Sequence, residues 1–477
     1  MSSCQPVPHD LPPAAVAPPA PPAASSRRRT SAGAGLLAVL VLLTTPAAPA
    51  SAAVAPVPLP PVVVTDPVAV PLPEPPAASA PVAAPVPVVR STAPATAAQK
   101  TALRTRVQRA LGGSSARVVA AAVDVEGYDP VLRLSADRPM PPASTQKSFV
   151  GLSALLALGP DVRYRTEAAA VDAPVDGQLA GSLWLVAGGD PYLSRASLRR
   201  LARSVRESGI TAVHGGIRLD DLRYDARRTA AGWKTAFMPG QSGPLSALAV
   251  DANRWRRDAA FLKDPALPAA ALFRDYLVAE GVAVVGAVAR APRPVEATTV
   301  AAFEGGTLSS AVTRTLKASD NFAAEMLLKE LGRGVRADGS SAGGLAAARG
   351  ILHGQGVPMG AGSDGSGLSA NDRQSAAGQV KLLQLAERSH VAAAFRAALP
   401  LGCRDGTLRR RFCRTPAEGR VWAKTGTISG VRALSGVTRT ASGRQVQFTF
   451  QLSGVTNGGR ALAAIDRAVV ALAGSRD

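Results

Sequence analysis

The stretch Pro141-Pro142-Ala143-Ser144-Thr145-Gln146-Lys147-Ser148-Phe149-Val150, running on to Leu158 before Gly159-Pro160, restricts the fold more than any other part of the chain. Two prolines force an extended approach, and the pattern after them is helical. Phe149, Val150, Leu152, Leu155, Leu156 and Leu158 leave this helix no polar face, so it has to be buried on nearly all sides. Ser144 falls in its first turn, and Lys147, three residues on, points from the same side. A hydroxyl, an amine and the free N–H groups of a helix start therefore meet at the end of a rigid, buried rod, a suitable seat for a nucleophile. Serine is also a preferred helix cap and Ser-x-x-Lys is a short pattern, so the catalytic reading needs partners from elsewhere.

The chain has room for them. With 477 residues, 47% of them apolar, it can bury a core in two or three domains. The net charge of +20 comes mostly from arginines scattered along the sequence, among them Arg104, Arg117, Arg199, Arg256, Arg373 and Arg409, while aromatics make up 4%. Without a basic stripe interleaved with aromatics, nucleic acid is a poor partner, and an acidic polymer or anionic surface suits the charge better.

Arg27-Arg28-Arg29, the uncharged run 32–43 and Ala50-Ser51-Ala52 have the order of a signal peptide, which gives 1–52 as a leader with an N-terminal extension, cleaved after Ala52. Its apolar core is short for a membrane span, and an uncleaved anchor is the alternative. Residues 53–97 are almost all Pro, Val and Ala and cannot pack a core. They read as a disordered, polyproline-like spacer reaching up to about 140 Å at about 3.1 Å per residue. The expectation is an exported protein of the cell wall or envelope, with a possible membrane-surface or wall association. Cys4 leaves with the leader, so Cys403 and Cys413, ten apart in an exported chain, should form a disulfide. The histidines are isolated and no Cys or His cluster has metal-ligand spacing, so neither metal nor other cofactor is expected.

In order, the pattern gives a helix over 98–111, strands over 118–125 and 131–134 joined by Glu126-Gly127-Tyr128-Asp129-Pro130, and then the Ser144 helix. From about residue 164 strand-like pieces (183–186, 216–219, 282–288) alternate with helical ones (197–208, 269–280) between frequent turns. Residues 164–296 therefore read as a module inserted between the first part (98–163) and the second part (297–477) of one catalytic domain. Helices over 307–317 and 322–331 are interrupted by Ala318-Ser319-Asp320-Asn321, whose polar residues could equally be helix caps. A second Ser-x-Asn, at Ser369-Ala370-Asn371, follows the glycine-rich turn Asp364-Gly365-Ser366-Gly367. Strands over 421–428, 431–439 and 445–452 form an antiparallel meander, the first carrying Lys424-Thr425-Gly426-Thr427, and a helix over 460–473 closes the chain.

Ser-x-x-Lys, Ser-Asp-Asn and Lys-Thr-Gly, in this order on helix, inter-helix loop and strand, are far more specific together than apart. From Ala98 to the C-terminus the chain resembles the penicillin-recognising serine acyltransferases, and within them the low-molecular-mass class C D-alanyl-D-alanine carboxypeptidase/endopeptidases that carry an insertion between the first two motifs. Gly189-Asp190-Pro191, Asp364-Gly365-Ser366-Gly367-Leu368-Ser369 and Asp405-Gly406-Thr407-Leu408 agree with that resemblance. It implies an α/β (α+β) fold, an antiparallel sheet packed with helices, with one inserted α/β module. It also implies peptidoglycan stem peptides as substrates and β-lactams as inhibitors.

Acyl transfer needs Ser144 activated by a base, and Lys147 can serve only as a neutral amine. Burial and a second cation, Lys424, would both lower its pKa. The resemblance implies that Ser319 relays a proton to the leaving nitrogen and that Asn321 orients Lys147 and the substrate amide. It also implies that Lys424, Thr425, Gly426 and Thr427 form a strand edge gripping the terminal carboxylate, with the N–H groups of Ser144 and Thr427 as oxyanion hole. Two departures stand out. Asn253 is followed quickly by Asp264-Pro265, so a second inserted module found in some relatives is missing. Gly232-Trp233 runs into Lys234-Thr235-Ala236-Phe237 without the aspartate that in relatives reads a free diaminopimelyl amine. The competing readings are a β-lactamase of the same superfamily, a catalytically idle wall-binding scaffold, and an α/β-hydrolase suggested by Gly339-Ser340-Ser341-Ala342-Gly343.

Overall fold

The structure, a computed structural model, describes residues 96–126 and 130–476. The expected leader, the spacer up to residue 95 and the centre of the 126–130 turn lie outside them.

The frame is a five-stranded antiparallel sheet in the order Val421–Ile428, Val431–Arg439, Gln445–Ser453, Val118–Val125, Leu132–Leu134. Alternation decides its faces. Phe448, Phe450, Leu452, Val123 and Val125 point to one side and pack under the helices Ala97–Gly112 and Gly458–Ala473, through Leu103, Val107, Ile465 and Val469. On the other side Ala120 and Ala122 meet the helix Ala376–Arg388 through Ala376 and Val380.

Beyond that helix lies an all-helical body. Thr96 caps the first helix of the chain with a full capping box, whereas the Ser144 helix, Gln146–Leu158, has no side-chain cap and is held by its surroundings. Phe149, Leu152 and Leu155 are buried against Val312, Leu316, Leu327, Leu328 and Leu352 of the helices Leu308–Ala318, Asn321–Arg336 and Ser341–Gly354. The helix is buried all round from Gln146 to Leu155, while Leu156 and Leu158 in its last turn are only partly covered.

A second, mixed five-stranded sheet has the order Thr298–Thr307, Arg163–Ala170, Leu183–Val186, Ile217–Asp220, Val288–Arg290, beside a small parallel sheet of Gln178–Leu179, Ala212–Val213 and Ala283–Val284; its first strand lies past residue 296, the end expected for the inserted segment. The helices Arg195–Glu207 and Ala266–Ala279 bury Leu198, Leu201, Phe273 and Leu277 in its core. Its outer strand runs on to Thr307 because it pairs antiparallel with Arg163–Ala170. The strand expected over 282–288 is two strands in two sheets, broken where a Cβ on Gly286 would sit 2.6 Å from the backbone of Gly215. One five-residue helix, Ala259–Lys263, bridges Val250–Asn253 to Ala266–Ala279. The Gly339–Gly343 segment has no strand before it. Ser340 caps the helix Ser341–Gly354 by accepting from the Gly343 N–H at 3.0 Å.

Cys403 and Cys413 are joined as a disulfide around a ten-residue separation. Cys403→Ser and Cys413→Ser should each cost up to about 3 kcal/mol, since the loop regains its freedom in the unfolded chain. Thermal melts with and without reductant check this, and an equal drop of the wild type in reductant is the expected companion result. Among the described residues no helix is long and apolar enough to cross a membrane.

Candidate active site

Ser144 sits in the 3-10 turn Ala143–Thr145 that leads into the buried helix. Ala143, a non-glycine residue at φ 49°, bends the chain there and turns Ser144 towards the cleft. Lys147 is 1% exposed, and its amine donates to Ser144 Oγ at 3.0 Å, Asn321 Oδ1 at 2.7 Å and the Ser366 carbonyl at 2.6 Å. The Ser319 break between helices is a left-handed residue, φ 57°, after which Asp320 caps the next helix by accepting from the Ala323 N–H. Asp320 is therefore the capping residue that sequence reasoning weighed, while Ser319 and Asn321 on either side of it face the cleft. Asn321 Nδ2 donates to the Gln241 carbonyl at 3.2 Å.

The third segment lies on the edge strand Val421–Ile428. Lys424, fully buried, donates to Ser319 Oγ at 2.8 Å and the Thr425 carbonyl at 2.9 Å. A cleft of about 400 Å³ is lined by Ser144, Ser319, Asn321, Thr425 and Thr427, together with Gln241, Leu368 and Thr407. Gly426 explains the middle of its tripeptide: a Cβ there would lie 2.7 Å from the Pro142 carbonyl and 3.0 Å from Ala433 Cβ. Gly426→Ala should push the strand off the Ser144 turn and lower acylation about 10²-fold, the usual cost of a roughly 1 Å misplacement, with melting nearly unchanged. Stopped-flow acylation by a penicillin measures this; an unaltered rate would mean that the two segments need not touch.

Burial pulls the Lys147 amine down to about 8, against the opposing pull of Asp364, Asp320, Glu325 and Asp372. Burial also takes Lys424 well below its ordinary 10.5, and the neighbouring Lys147 lowers it further. The two amines repel each other when both are charged, and the carboxylates behind Lys147 favour keeping the shared proton there.

Several contributors had no role assigned from sequence. The Asp364–Leu368 loop holds the back of the site: Asp364, fully buried, accepts from the N–H groups of Gly367 at 2.5 Å and Ser369 at 2.9 Å, so that Ser366 presents its carbonyl to Lys147. Trp233 of the inserted module donates its indole N–H to Asp364 at 2.6 Å. The Gly232-Trp233 segment therefore braces this loop, with Lys234 exposed beyond it. Thr407 bonds Thr425 Oγ1 at 3.0 Å. Both segments were visible as Asp-Gly-Ser-Gly and Asp-Gly-Thr-Leu, but a carbonyl acceptor leaves no side-chain signature. Ser369 of the second Ser-x-Asn spends its N–H and hydroxyl inside its own loop. Among the described residues no group of His, Cys, Asp and Glu is placed to hold a metal.

A helical body against a five-stranded antiparallel sheet, with Ser144 and Lys147 at the start of a buried helix opposite a Lys-Thr-Gly edge strand, is the fold of the penicillin-recognising serine transferases. The family profile described as "D-Ala-D-Ala carboxypeptidase 3 (S13) family" matches residues 102–261 and 256–475, and the chain belongs to that family of peptidases. Its two stretches meet at the short Ala259–Lys263 bridge. The chain is 30% identical over 377 residues to a D-alanyl-D-alanine carboxypeptidase of Actinomadura sp. (strain R39), covering 62% of this chain and 70% of that protein. It is 28% identical over 335 residues to a carboxypeptidase of Mycobacterium tuberculosis, covering 66% and 71%. The fold matches penicillin binding protein 4 from Haemophilus influenzae with a TM-score of 0.69 at 20% identity, over 77% of this chain and 98% of that one. The same Haemophilus protein in complex with a β-lactam gives 0.65, at the same identity and coverage. The assignment is to a hydrolase, which sets aside the idle scaffold.

Proposed function

We propose that this chain is an exported serine D-alanyl-D-alanine carboxypeptidase/endopeptidase, working on peptidoglycan stem peptides through an acyl-enzyme on Ser144 and blocked by β-lactams. The observation that carries the reading is the 3.0 Å contact of a buried amine, its pKa brought down to about 8, with the Ser144 hydroxyl. Near neutrality part of the Lys147 population is uncharged and can take the Ser144 proton as the hydroxyl attacks the penultimate D-alanine carbonyl. The N–H groups of Ser144 and Thr427 receive the oxyanion, and losing one such donor costs about 10²–10³ in rate. Asn321 orients the amine, and Lys424, Thr425 and Thr427 hold the terminal carboxylate. The C–N bond breaks as the proton passes through Ser319 to the departing D-alanine amine, and water then hydrolyses the ester.

A β-lactam fits the same cleft because its amide and carboxylate imitate those of the peptide, and the bound β-lactam of the Haemophilus relative supports this. Labelling with a fluorescent penicillin followed by mass mapping tests the reading. A stable penicilloyl adduct on the peptide holding Ser144 is expected; rapid nitrocefin turnover without an adduct would make the protein a β-lactamase instead. The leader and spacer pattern supports a site of action outside the cytoplasm, and N-terminal sequencing of secreted protein, expected to begin at Ala53, tests the route.

A further inference from the structure

We propose that a basic cavity adjoining the catalytic cleft binds a second carboxylate carried by the leaving chain, so that acid-bearing cross-linked peptides are the preferred substrates. The inference rests on the assignment of Ser144 as nucleophile and of the Lys424–Thr425 end as the carboxylate grip. The cavity, about 880 Å³, meets the cleft at Thr407, which lines both. Because Thr407 is bonded to Thr425, a group entering this cavity is attached beyond the terminal carboxylate of the leaving residue. A lone D-alanine would fill none of it.

Four cations line the cavity, Arg314, Lys317, Arg409 and Arg410, against the single carboxylate of Asp320, which is engaged in capping the Ala323 N–H. Lys317 is paired with Asp405. Arg314, Arg409 and Arg410 have no ion-pair partner among the described residues. Arg314 is held in place, and Arg409 and Arg410 are exposed side chains on a loop whose backbone is closed. Arg314 lies 3.6 Å from the Tyr192 ring centroid, and the Cys403–Cys413 disulfide closes the loop carrying Arg409 and Arg410. Arg314 also faces the buried Asp190 across the adjoining pocket, so the free guanidinium groups are those of Arg409 and Arg410, and such groups around a recess favour a carboxylate by charge-assisted, often paired hydrogen bonds. Position selects the occupant: an acid tethered to the leaving residue reaches the cavity only while the scissile bond is at Ser144.

The test compares two peptides with the same acyl part ending in D-alanine, one releasing D-alanine and the other D-α-aminoadipate, whose side chain carries a second carboxylate. The full-length protein should turn over the diacid with a kcat/KM about tenfold higher at low salt, and the preference should fade as ionic strength rises. In Arg409→Gln/Arg410→Gln and in Arg314→Gln the ratio should fall towards one, while Arg409→Lys/Arg410→Lys keeps most of it. A wild-type ratio near one at every salt concentration overturns the proposal, and that arm needs no variant to fold. A basic surface that merely gathers anionic polymer would change both peptides together, and that result overturns it too. Penicillin labelling of Ser144 in each sample separates the two levels: labelled enzyme with no diacid preference sinks only this proposal, while unlabelled wild type sinks the catalytic assignment beneath it.

Discussion

Lys147→Ala should lower kcat/KM on a D-Ala-D-Ala peptide by on the order of 10⁵–10⁶, as much as Ser144→Ala, with the double variant no worse than either. The two side chains act as one unit: the hydroxyl is a poor nucleophile until the amine 3.0 Å away takes its proton, and the amine has nothing to do without the hydroxyl. The other buried amine, Lys424, is turned to Ser319 Oγ and the Thr425 carbonyl rather than to Ser144. The charged groups named around Lys147 are Asp364, Asp320, Glu325 and Asp372, and the one that caps a helix at the cleft, Asp320, holds the Ala323 N–H. Melting should change much less than activity. Truncation deprives Asn321 and the Ser366 carbonyl of a donor, but it also removes the cost of keeping an amine out of water. Single-turnover release of D-alanine measures the effect. Residual activity in Lys147→Ala within about a hundredfold of wild type would show that another group takes the proton, and rescue by a small exogenous amine would support the assigned role.

What the sequence made legible follows from what kind of signal each residue leaves. Ser144, Lys147, Ser319, Asn321 and Lys424 are side-chain chemistry in recognisable local settings, and the structure brings them to one cleft. The buried helix was readable because a rod without a polar face has one solution. The meander was readable because Phe448, Phe450 and Leu452 alternate with Gln447, Thr449 and Gln451. Less legible were groups that work through the main chain or through close approach. Ser366 acts by its carbonyl, Gly426 by lacking a Cβ, and Gly286 by ending one strand and allowing another in a second sheet. Nor could periodicity show that residues 164–296 reach back into the site, since the Trp233 indole on Asp364 and the Gln241 carbonyl on Asn321 make that connection. The sequence shows that two lysines meet, but which of them has carboxylates behind it depends on the Asp364 loop and the helix bearing Glu325.

That unequal backing leads to a second large effect, on Lys424. Before substrate arrives, burial makes it costly to charge both amines, and the carboxylates behind Lys147 favour leaving the proton there. A peptide carboxylate arriving at the Thr425 end reverses the balance, drawing the proton to Lys424 and freeing Lys147 as base. Lys424→Ala should therefore lower kcat/KM by about 10²–10³, the usual penalty for truncating one side of a buried charged contact. The same change on a peptide ending in a carboxamide should cost little, since the carboxylate is already gone. The pH profile carries the sign. The active form holds one proton between the two amines, so activity rises as the pair loses its first proton and falls as it loses its last, which free enzyme keeps on Lys147 until about pH 8. In Lys424→Ala the alkaline fall should vanish and a single rise near 8 remain, as Lys147 alone gives up its proton to become the base. An alkaline limb that survives the substitution would place the second titration elsewhere and leave Lys424 a structural cation.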